Sequence, residues 1–326
     1  MNILVIGCGS IGERHIKNIY TFGKQKVIAC DPNLTRLQKL KRIYPELEIY
    51  SDLDHVWKLY PEVAFICTPT SSHLPLALKA AQHNCHLFIE KPLTHATINI
   101  LKLQRLVNQN KLTTMVGCNW RFYWAVSEIK SILQKNTIGK VLSARISAGS
   151  YLPEWHPCED YRTLYAAQNK LGGGVILDFI HELDYACWLF GEINTLTGMY
   201  GKLSNLQIDT EDCAELLMTF KQGPLVSIHV DYLQRVYERS CVIIGSEGTI
   251  VWNFSSHKIK IYSVKNKNWK EIEEPENYDL NHMYKLELKY FFECIQIHKN
   301  TDNDVFQAAK TLKFALAYKR KGIRVK

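Results

Sequence analysis

The apolar residues of the first 120 positions follow two alternating patterns. Segments whose apolar residues recur every three or four positions, such as residues 34–44 and 98–107, are typical of amphipathic helices. Between such segments lie short continuous apolar runs, typical of strands covered on both faces, at residues 3–6, 27–30, 49–50, 63–67, 86–90 and 113–117. Strands that alternate with helices in this way predict an α/β domain with a parallel, doubly wound sheet.

The pattern changes after Arg121. Longer segments with two-residue alternation, separated by turn signals such as Gly223-Pro224, predict a largely antiparallel sheet. Helical periodicity predicts helices over residues 125–134, 177–190, 283–297 and 305–318. We therefore expect residues 1–120 to form one domain and residues 121–326 a second, α+β domain. The last helix is a candidate to pack back on the first domain.

The first apolar run leads into a glycine motif, Gly7-x-Gly9-x-x-Gly12, and a helical pattern follows. The first glycine permits a tight turn, the second lets backbone approach a pyrophosphate, and the third lets the helix pack close to the strand. Free N–H groups at the start of the helix favour phosphate. Because the flanking elements agree, a glycine turn without a cofactor is the weaker interpretation. The predicted Rossmann cofactor site comprises Gly7, Gly9, Ser10, Ile11 and Gly12.

Asp31 ends the second apolar run, 19 residues after Gly12 (31 − 12). At this position a carboxylate can accept hydrogen bonds from the hydroxyls of the adenosine ribose. It would repel a 2′-phosphate, so the sequence favours NAD over NADP. Arg36 stands close enough in sequence to meet such a phosphate, and NADP therefore stays open.

The composition is that of an ordinary globular protein, with 46% hydrophobic and 22% charged residues among 326. The net charge is +8, and residues 309–326 contain seven basic residues and no acidic one. Such a segment is typical of a solvated helix end, so we expect no nucleic-acid partner. No apolar run reaches the ~18 residues of a membrane span, and we expect neither a membrane partner nor a signal peptide. Ten cysteines without a CxxC pair predict reduced thiols in the cytoplasm.

Polar residues follow the predicted strands at the sheet edge where ligands bind in open α/β folds. Thr68, Pro69 and His73 come after the run at 63–67, and we expect them beside the cofactor, although His73 also suits the start of a helix. The next strand ends in Glu90-Lys91-Pro92. Beside a cofactor and partly desolvated, Lys91 would have a lowered pKa that suits acid–base chemistry. An ordinary surface lysine is the alternative.

A further candidate site follows the triple glycine at 172–174. Asp178, His181 and Glu182 fall at helical spacing and would share one face of the helix predicted over 177–190. A histidine beside a carboxylate can be oriented and kept basic. No third ligand has metal-site spacing, so we expect no metal. Arg121 offers a planar fork for carboxylate, phosphate or sugar hydroxyls, while its aromatic neighbours suit either sugar binding or packing.

Together these motifs resemble the Gfo/Idh/MocA family of NAD(P)-dependent oxidoreductases over essentially the whole chain. The resemblance rests on the glycine fingerprint, Thr68-Pro-Thr-x-x-His73, Glu90-Lys91-Pro92, Gly117-x-Asn119-x-Arg121-Phe122, and Gly172-Gly-Gly-x-x-x-Asp178 leading to His181-x-x-Asp184. It implies an N-terminal Rossmann domain and a C-terminal domain whose open sheet serves as an interface in a homo-oligomer, a dimer or a tetramer. It also implies a sugar, cyclitol or nucleotide-sugar substrate.

The same resemblance implies Lys91 as the catalytic lysine, with Asp178 and His181 completing the site and with Glu90 and Lys91 beside the cofactor. In members similar to inositol dehydrogenase the acid and the histidine stand four apart, whereas here they stand three apart. Some relatives with the short spacing occur beside surface-polysaccharide genes, which suggests a role in the biosynthesis of such sugars.

Our hypothesis is a dehydrogenase in which His181 exchanges a proton with the substrate hydroxyl, Lys91 hydrogen-bonds the same oxygen, and Asp178 orients both. An NAD-dependent glycosidase on the same frame is one alternative. A non-enzymatic dinucleotide sensor is another, which the joint presence of three titratable groups argues against. The candidates for holding substrate are Arg121, Trp155, His156, Tyr161 and Arg162.

Overall fold

The computed structural model describes residues 1–23 and 25–325. The chain divides into two compact units. The first unit comprises Met1–Cys118 and Tyr284–Leu312, and the second comprises Asn119–Met283 and Lys313–Lys326. Residues 284–312 therefore belong to the first unit although they follow most of the second in sequence.

The first unit contains a six-stranded sheet in which every pairing is parallel. Its strands are β1 (Asn2–Ile6), β2 (Lys26–Cys30), β3 (Glu48–Tyr50), β4 (Val63–Ile66), β5 (His86–Glu90) and β6 (Thr114–Gly117). The connecting helices are α1 (Ser10–Tyr20), α2 (Leu34–Ile43), α3 (Leu53–Val56), α4 (His73–Gln82) and α5 (Ile100–Gln109). The strand order is β3-β2-β1-β4-β5-β6, so the predicted doubly wound α/β domain is confirmed.

The apolar runs form strands because the sheet interior is closed to water on both faces. All four residues of β4 are buried, and so are four of the five residues of β2. Phe65 and Phe88 stack across neighbouring strands with ring centroids 4.8 Å apart, and Phe291 packs edge-on against both. This aromatic cluster fixes the strands that end at the predicted cofactor edge.

The second unit contains a nine-stranded sheet, ordered β14-β13-β12-β11-β7-β10-β9-β8-β15. Its strands are β7 (Val141–Gly149), β8 (Ile193–Gly201), β9 (Cys213–Phe220), β10 (Leu225–Asp231), β11 (Glu238–Gly245), β12 (Gly248–Asn253), β13 (Lys258–Ser263), β14 (Asn268–Glu273) and β15 (Ile323–Val325). Only β7 with β10 and β8 with β15 pair in parallel among the described residues. The predicted largely antiparallel sheet is confirmed, and its strands bury alternate residues, as in β9.

Two strands escaped the sequence patterns. Five of the six residues of β14 are exposed and half of the strand is charged, so it shows no apolar alternation. The three residues of β15 are all exposed and lie in the basic C-terminal stretch. Both strands lie at the edges of the sheet, where one neighbouring strand supplies the backbone pairing and little side-chain burial is needed.

Three further long helices are α6 (Trp124–Gln134), α9 (Asn281–Gln296) and α10 (Val305–Lys321). Asn303 anchors the segment before α10 to the first sheet, because its amide donates to the Val116 carbonyl at 2.8 Å. No helix in the described ranges is both long and apolar enough to cross a membrane.

Candidate active site

The glycine motif forms the turn between β1 and α1. Gly7 has φ +88°, and a Cβ there would lie 2.7 Å from the Cys67 carbonyl oxygen. A Cβ on Gly12 would lie 2.0 Å from the Gly7 carbonyl oxygen, so only glycine lets the helix approach the turn this closely. At Gly9, the N-cap of α1, a Cβ would meet no described atom within 4 Å. The space over the first N–H groups of α1 therefore fits a pyrophosphate.

Asp31 is held at the end of β2 by the glycine turn itself. Its Oδ2 accepts from the Cys8 N–H at 2.7 Å, and its Oδ1 accepts from the Asn33 N–H at 2.8 Å. A carboxylate has lone pairs for about four hydrogen bonds, so capacity for ribose hydroxyls remains. The Arg36 guanidinium lies 3.9 Å from Oδ2. The residues present fit a dinucleotide.

His73 joins the loop after β4 to the turn after β5. Its Nδ1 faces the Pro92 carbonyl oxygen and its Nε2 faces the Thr68 carbonyl oxygen, both at 2.8 Å. Burial lowers the pKa of His73, so the ring is neutral at pH 7 and donates to one carbonyl at a time. Both ring nitrogens thus face backbone, and the contact of Thr68, Pro69 and His73 with the cofactor stays a prediction.

Lys91 directly follows the carboxyl end of β5, and its peptide bond with Pro92 is cis. The Lys91 N–H donates to Glu90 Oε2 at 3.3 Å, while Glu90 Oε1 lies 2.6 Å from Nε2 of His15. His15 is fully buried on α1, with Phe88 edge-on to its ring. The helix that begins at the glycine turn is thereby tied to the strand end that carries Lys91. His15 was not among the predicted site residues, since its only signal in the sequence is a polar residue on an apolar helix face.

In the second unit, the prediction of a single helix over residues 177–190 is wrong, because the chain forms two helices that meet at Phe179. These are α7 (Val175–Asp178) and α8 (Ile180–Phe190), and Phe179 between them leaves the helical region with φ −89° and ψ 30°. Asp178 ends the first helix and His181 lies in the first turn of the second. The two therefore do not share a face of one continuous helix.

The triple glycine before α7 allows a crowded backbone. A Cβ on Gly173 would lie 2.2 Å from the Tyr165 carbonyl oxygen. Gly174 has φ +108°, and a Cβ there would lie 2.4 Å from the Glu211 carboxylate. That carboxylate pairs with Lys319 at 3.0 Å, so one residue of the basic C-terminal stretch is not simply solvated.

Asp178 is bound by two tyrosines that were not among the predicted site residues. Its Oδ1 accepts a short hydrogen bond from the Tyr165 hydroxyl, and its Oδ2 accepts from the Tyr232 hydroxyl at 2.8 Å. Burial and the neighbouring Asp178 carboxylate raise the pKa of Tyr232 well above its usual value, so this hydroxyl stays protonated and donates. No spacing rule connects these tyrosines to Asp178, because they lie 13 and 54 positions away.

Two buried ion pairs hold α8. Arg121 donates from Nε and Nη2 to the Asp184 carboxylate at 2.6 and 2.7 Å, so much of its fork is already engaged. Arg239 lies 2.6 Å from Glu182, and its guanidinium stacks on the Trp120 ring at 3.6 Å. These contacts fix the helix on which His181 lies, itself 9% exposed.

The other predicted substrate residues lie on the segment after β7. Trp155 is half-buried, packs edge-on against Tyr232 with centroids 5.3 Å apart, and donates to Ser150. His156 is half-buried. The Tyr161 hydroxyl accepts from a backbone N–H, while Arg162 is exposed and engaged with a neighbouring carboxylate. Trp155 thus adjoins the Asp178 cluster, whereas the roles of the other three stay predictions.

No group of three or more His, Cys, Asp or Glu side chains suited to a metal occurs in the described ranges.

Comparison with protein-family models gives two matches. Residues 1–118 match the model described as "Oxidoreductase family, NAD-binding Rossmann fold", and residues 126–251 match the "GFO/IDH/MocA C-terminal domain". Both models belong to one family, and together they cover most of the chain.

Similar proteins include dehydrogenases of sugars and cyclitols. The chain is 29% identical to myo-inositol 2-dehydrogenase of Thermotoga maritima over 77% of this chain and 74% of the relative. A solved structure of levoglucosan dehydrogenase with NADH superposes with TM-score 0.88, at 19% identity, covering 98% of this chain and 96% of the other. UDP-N-acetylglucosamine 3-dehydrogenase from Acidithiobacillus ferrooxidans superposes with TM-score 0.81, at 20% identity, covering 98% and 97%. The structural likenesses establish a shared fold.

Proposed function

This chain belongs to the GFO/IDH/MocA family of oxidoreductases with an NAD-binding Rossmann domain, and we propose that it oxidises or reduces a hydroxyl or carbonyl carbon of a sugar, cyclitol or nucleotide sugar. One observation carries the proposal. Lys91 follows β5 at the same edge of the parallel sheet where β1 ends in the glycine turn. A titratable group at the cofactor edge of a Rossmann sheet is placed for chemistry rather than for binding alone.

Gly7, Gly9, Ser10, Ile11 and Gly12 would hold the pyrophosphate, and NAD when bound would accept or supply the hydride. Asp31 would accept from the adenosine ribose, and its carboxylate favours NAD over NADP. The Arg36 guanidinium, 3.9 Å from the Asp31 carboxylate, would offset the charge of a 2′-phosphate, and we therefore keep NADP as a second cofactor. Residues 1–120, joined by residues 284–312 of the same compact unit, would form the cofactor domain, and the rest of residues 121–326 would form the substrate domain.

The proton chemistry falls to Lys91 and His181. We assign His181 to exchange the proton with the substrate hydroxyl, while the Lys91 ammonium hydrogen-bonds the same oxygen and polarises it. Asp178 accepts from two tyrosine hydroxyls, so it would act by orientation and charge rather than as a proton acceptor. Tyr165 and Tyr232 therefore join the site as positioning residues.

The open face of the nine-stranded sheet supports the expected homo-oligomer. It carries exposed apolar side chains on neighbouring strands, among them Met199, Leu217 and Ile323, which are 50%, 43% and 60% exposed. Adjacent exposed apolar residues mark interaction surfaces. Sedimentation velocity of the protein and of Leu217→Lys should show a dimer or tetramer that the variant loses. A wild-type monomer would contradict this assembly.

The ten cysteines all lie in the described ranges and form no disulfide there. This supports a reducing compartment, and we place the enzyme in the cytoplasm. A role in making surface-polysaccharide sugars is consistent with the nucleotide-sugar option.

The test is nicotinamide absorbance with NAD⁺ over a panel of sugars, cyclitols and nucleotide sugars. A substrate-dependent rise in NADH would support the dehydrogenase and identify the substrate. Cleavage of a glycoside without net NADH would show the alternative chemistry, in which the cofactor is recycled in place. NADH binding with no reaction on either panel would favour a sensor.

A further inference from the structure

In the second unit, the neighbouring strands β7 and β10 run in parallel. Gly149 is in register with Asp231, so both strands end at the same edge. The pairing continues beyond them, because the Leu152 N–H donates to the Tyr232 carbonyl at 3.1 Å. Since the Tyr232 hydroxyl donates to Asp178, the segments that leave these two strands border the carboxylate to which we assign the orienting role.

The segment after β10 has a fixed backbone. Asp231 Oδ1 accepts from the N–H groups of Leu233 and Gln234, both at 2.6 Å. Its Oδ2 lies 2.9 Å from Nε2 of His229. A Cβ on Gly149 would lie 2.4 Å from Asp231 Oδ2, so this close packing requires glycine. The turn therefore fixes the backbone position of the next residue, Arg235.

The Arg235 side chain lies flat on an aromatic ring. Its Cζ is 3.7 Å from the centroid of the Tyr151 ring, and the residue is exposed. Stacking on the ring face leaves the guanidinium N–H donors at the edges of the plane available. No carboxylate in the described ranges pairs with Arg235, whereas Arg121, Arg162 and Arg239 in the same unit each have one.

We propose that Arg235, oriented by Tyr151, binds an anionic oxygen group of the substrate, a phosphate or a carboxylate. The planar fork matches the paired oxygens of both groups. The substrate is then an acidic sugar, either a nucleotide sugar or a uronic acid, rather than a neutral cyclitol. Trp155, which packs on Tyr232 at the same edge, offers the adjoining apolar face for the sugar ring. This inference rests on the proposed function, of which it narrows the substrate class.

The test is calorimetric titration of the full chain saturated with NAD⁺, so that added anions do not compete for the cofactor's pyrophosphate site. The probes are UDP, glucuronate and, as an uncharged comparison, glucose. We expect wild type to bind UDP or glucuronate, and Arg235→Gln to bind that probe about ten to a hundred times more weakly. The identity of the bound probe distinguishes the diphosphate source from the carboxylate source.

Further variants separate the effect of the planar shape of the Arg235 guanidinium from the effect of its positive charge. Arg235→Lys and Tyr151→Leu should bind with intermediate affinity, because the first loses the planar fork and the second loses its platform. Arg320→Gln, the same change at an exposed position elsewhere in this unit, should bind as wild type. Equal affinity in wild type and Arg235→Gln, or no binding of either anion by wild type, would overturn the proposal.

Turnover does not enter this measurement, so its outcome is independent of the proposed reaction. Loss of anion binding in Arg235→Gln together with an inactive wild type would retain the anion site and reject the dehydrogenase. Turnover of a neutral cyclitol with no anion binding would support the dehydrogenase and reject the anion site.

Discussion

Replacing Glu182 by Gln should lower the free energy of unfolding of the second unit by about 3–5 kcal/mol. Glu182 and Arg239 are 2.6 Å apart, and their side chains are 0% and 4% exposed. The amide keeps the volume of the carboxylate but leaves the guanidinium as a buried cation without its counter-charge. Removing one member of a buried pair costs about this much, whereas replacing both members costs far less.

The loss is large against the ~5–15 kcal/mol that stabilises a typical domain. With a urea slope of about 3 kcal/mol per molar, the midpoint should fall by about 1–2 M. Tryptophan fluorescence reports mainly on this unit, because Trp57 is the only one of seven tryptophans assigned to the first unit. Combining Glu182→Gln with Arg239→Met should restore part of the loss.

The matched control is the exposed pair Lys221–Glu192 on the same unit, with side chains 64% and 55% exposed. Glu192→Gln should cost at most about 1 kcal/mol because solvent screens such pairs. If Glu182→Gln proved no more destabilising than this control, the buried pair would not be what holds α8 in place.

Three further predictions follow from individual contacts. Tyr232→Phe removes one donor to the Asp178 carboxylate and should slow turnover on the order of tenfold with NADH affinity unchanged, measured by steady-state kinetics and fluorescence titration. His15→Leu leaves the Glu90 carboxylate without its histidine and should cost the first unit about 1–3 kcal/mol in urea unfolding. The hydrogen bond that His229 donates to the Asp231 carboxylate raises the pKa of His229 from 6.5 to about 9, so its stabilising contribution is complete below pH 6.5 and is lost as the pH rises through 9. Thermal melts across that range should show a decline that His229→Gln lacks.

Local pattern sufficed wherever one continuous segment determines the structure. The order of strand, glycine turn, helix, strand and Asp31 is set by short-range sterics and burial, and the structure confirms these elements. Lys91 could be placed at the cofactor edge because it directly follows a strand, and the parallel strands of one sheet all end at the same edge. The prediction concerned position in the fold, and the structure adds the link through Glu90 to His15.

Contacts between distant segments were not accessible from the pattern. Helical periodicity continues through residues 177–190, and nothing in it marks Phe179 as the residue at which one helix ends and the next begins. Tyr165 and Tyr232 reach Asp178 from other elements for the same reason. The Arg121 fork, expected to hold substrate, has Asp184 as a partner that only the folded chain brings close.

The central claim, that Lys91 acts on the substrate oxygen, is tested most directly by the rate of hydride transfer in Lys91→Ala. The assay uses the substrate that the panel identifies, with NADH affinity measured on the same preparation and Lys102→Ala as an exposed control on the same unit. The account predicts a rate lower by about 10²–10⁴-fold with NADH affinity retained, the scale of a lost acid–base group. A wild-type rate in Lys91→Ala would contradict it.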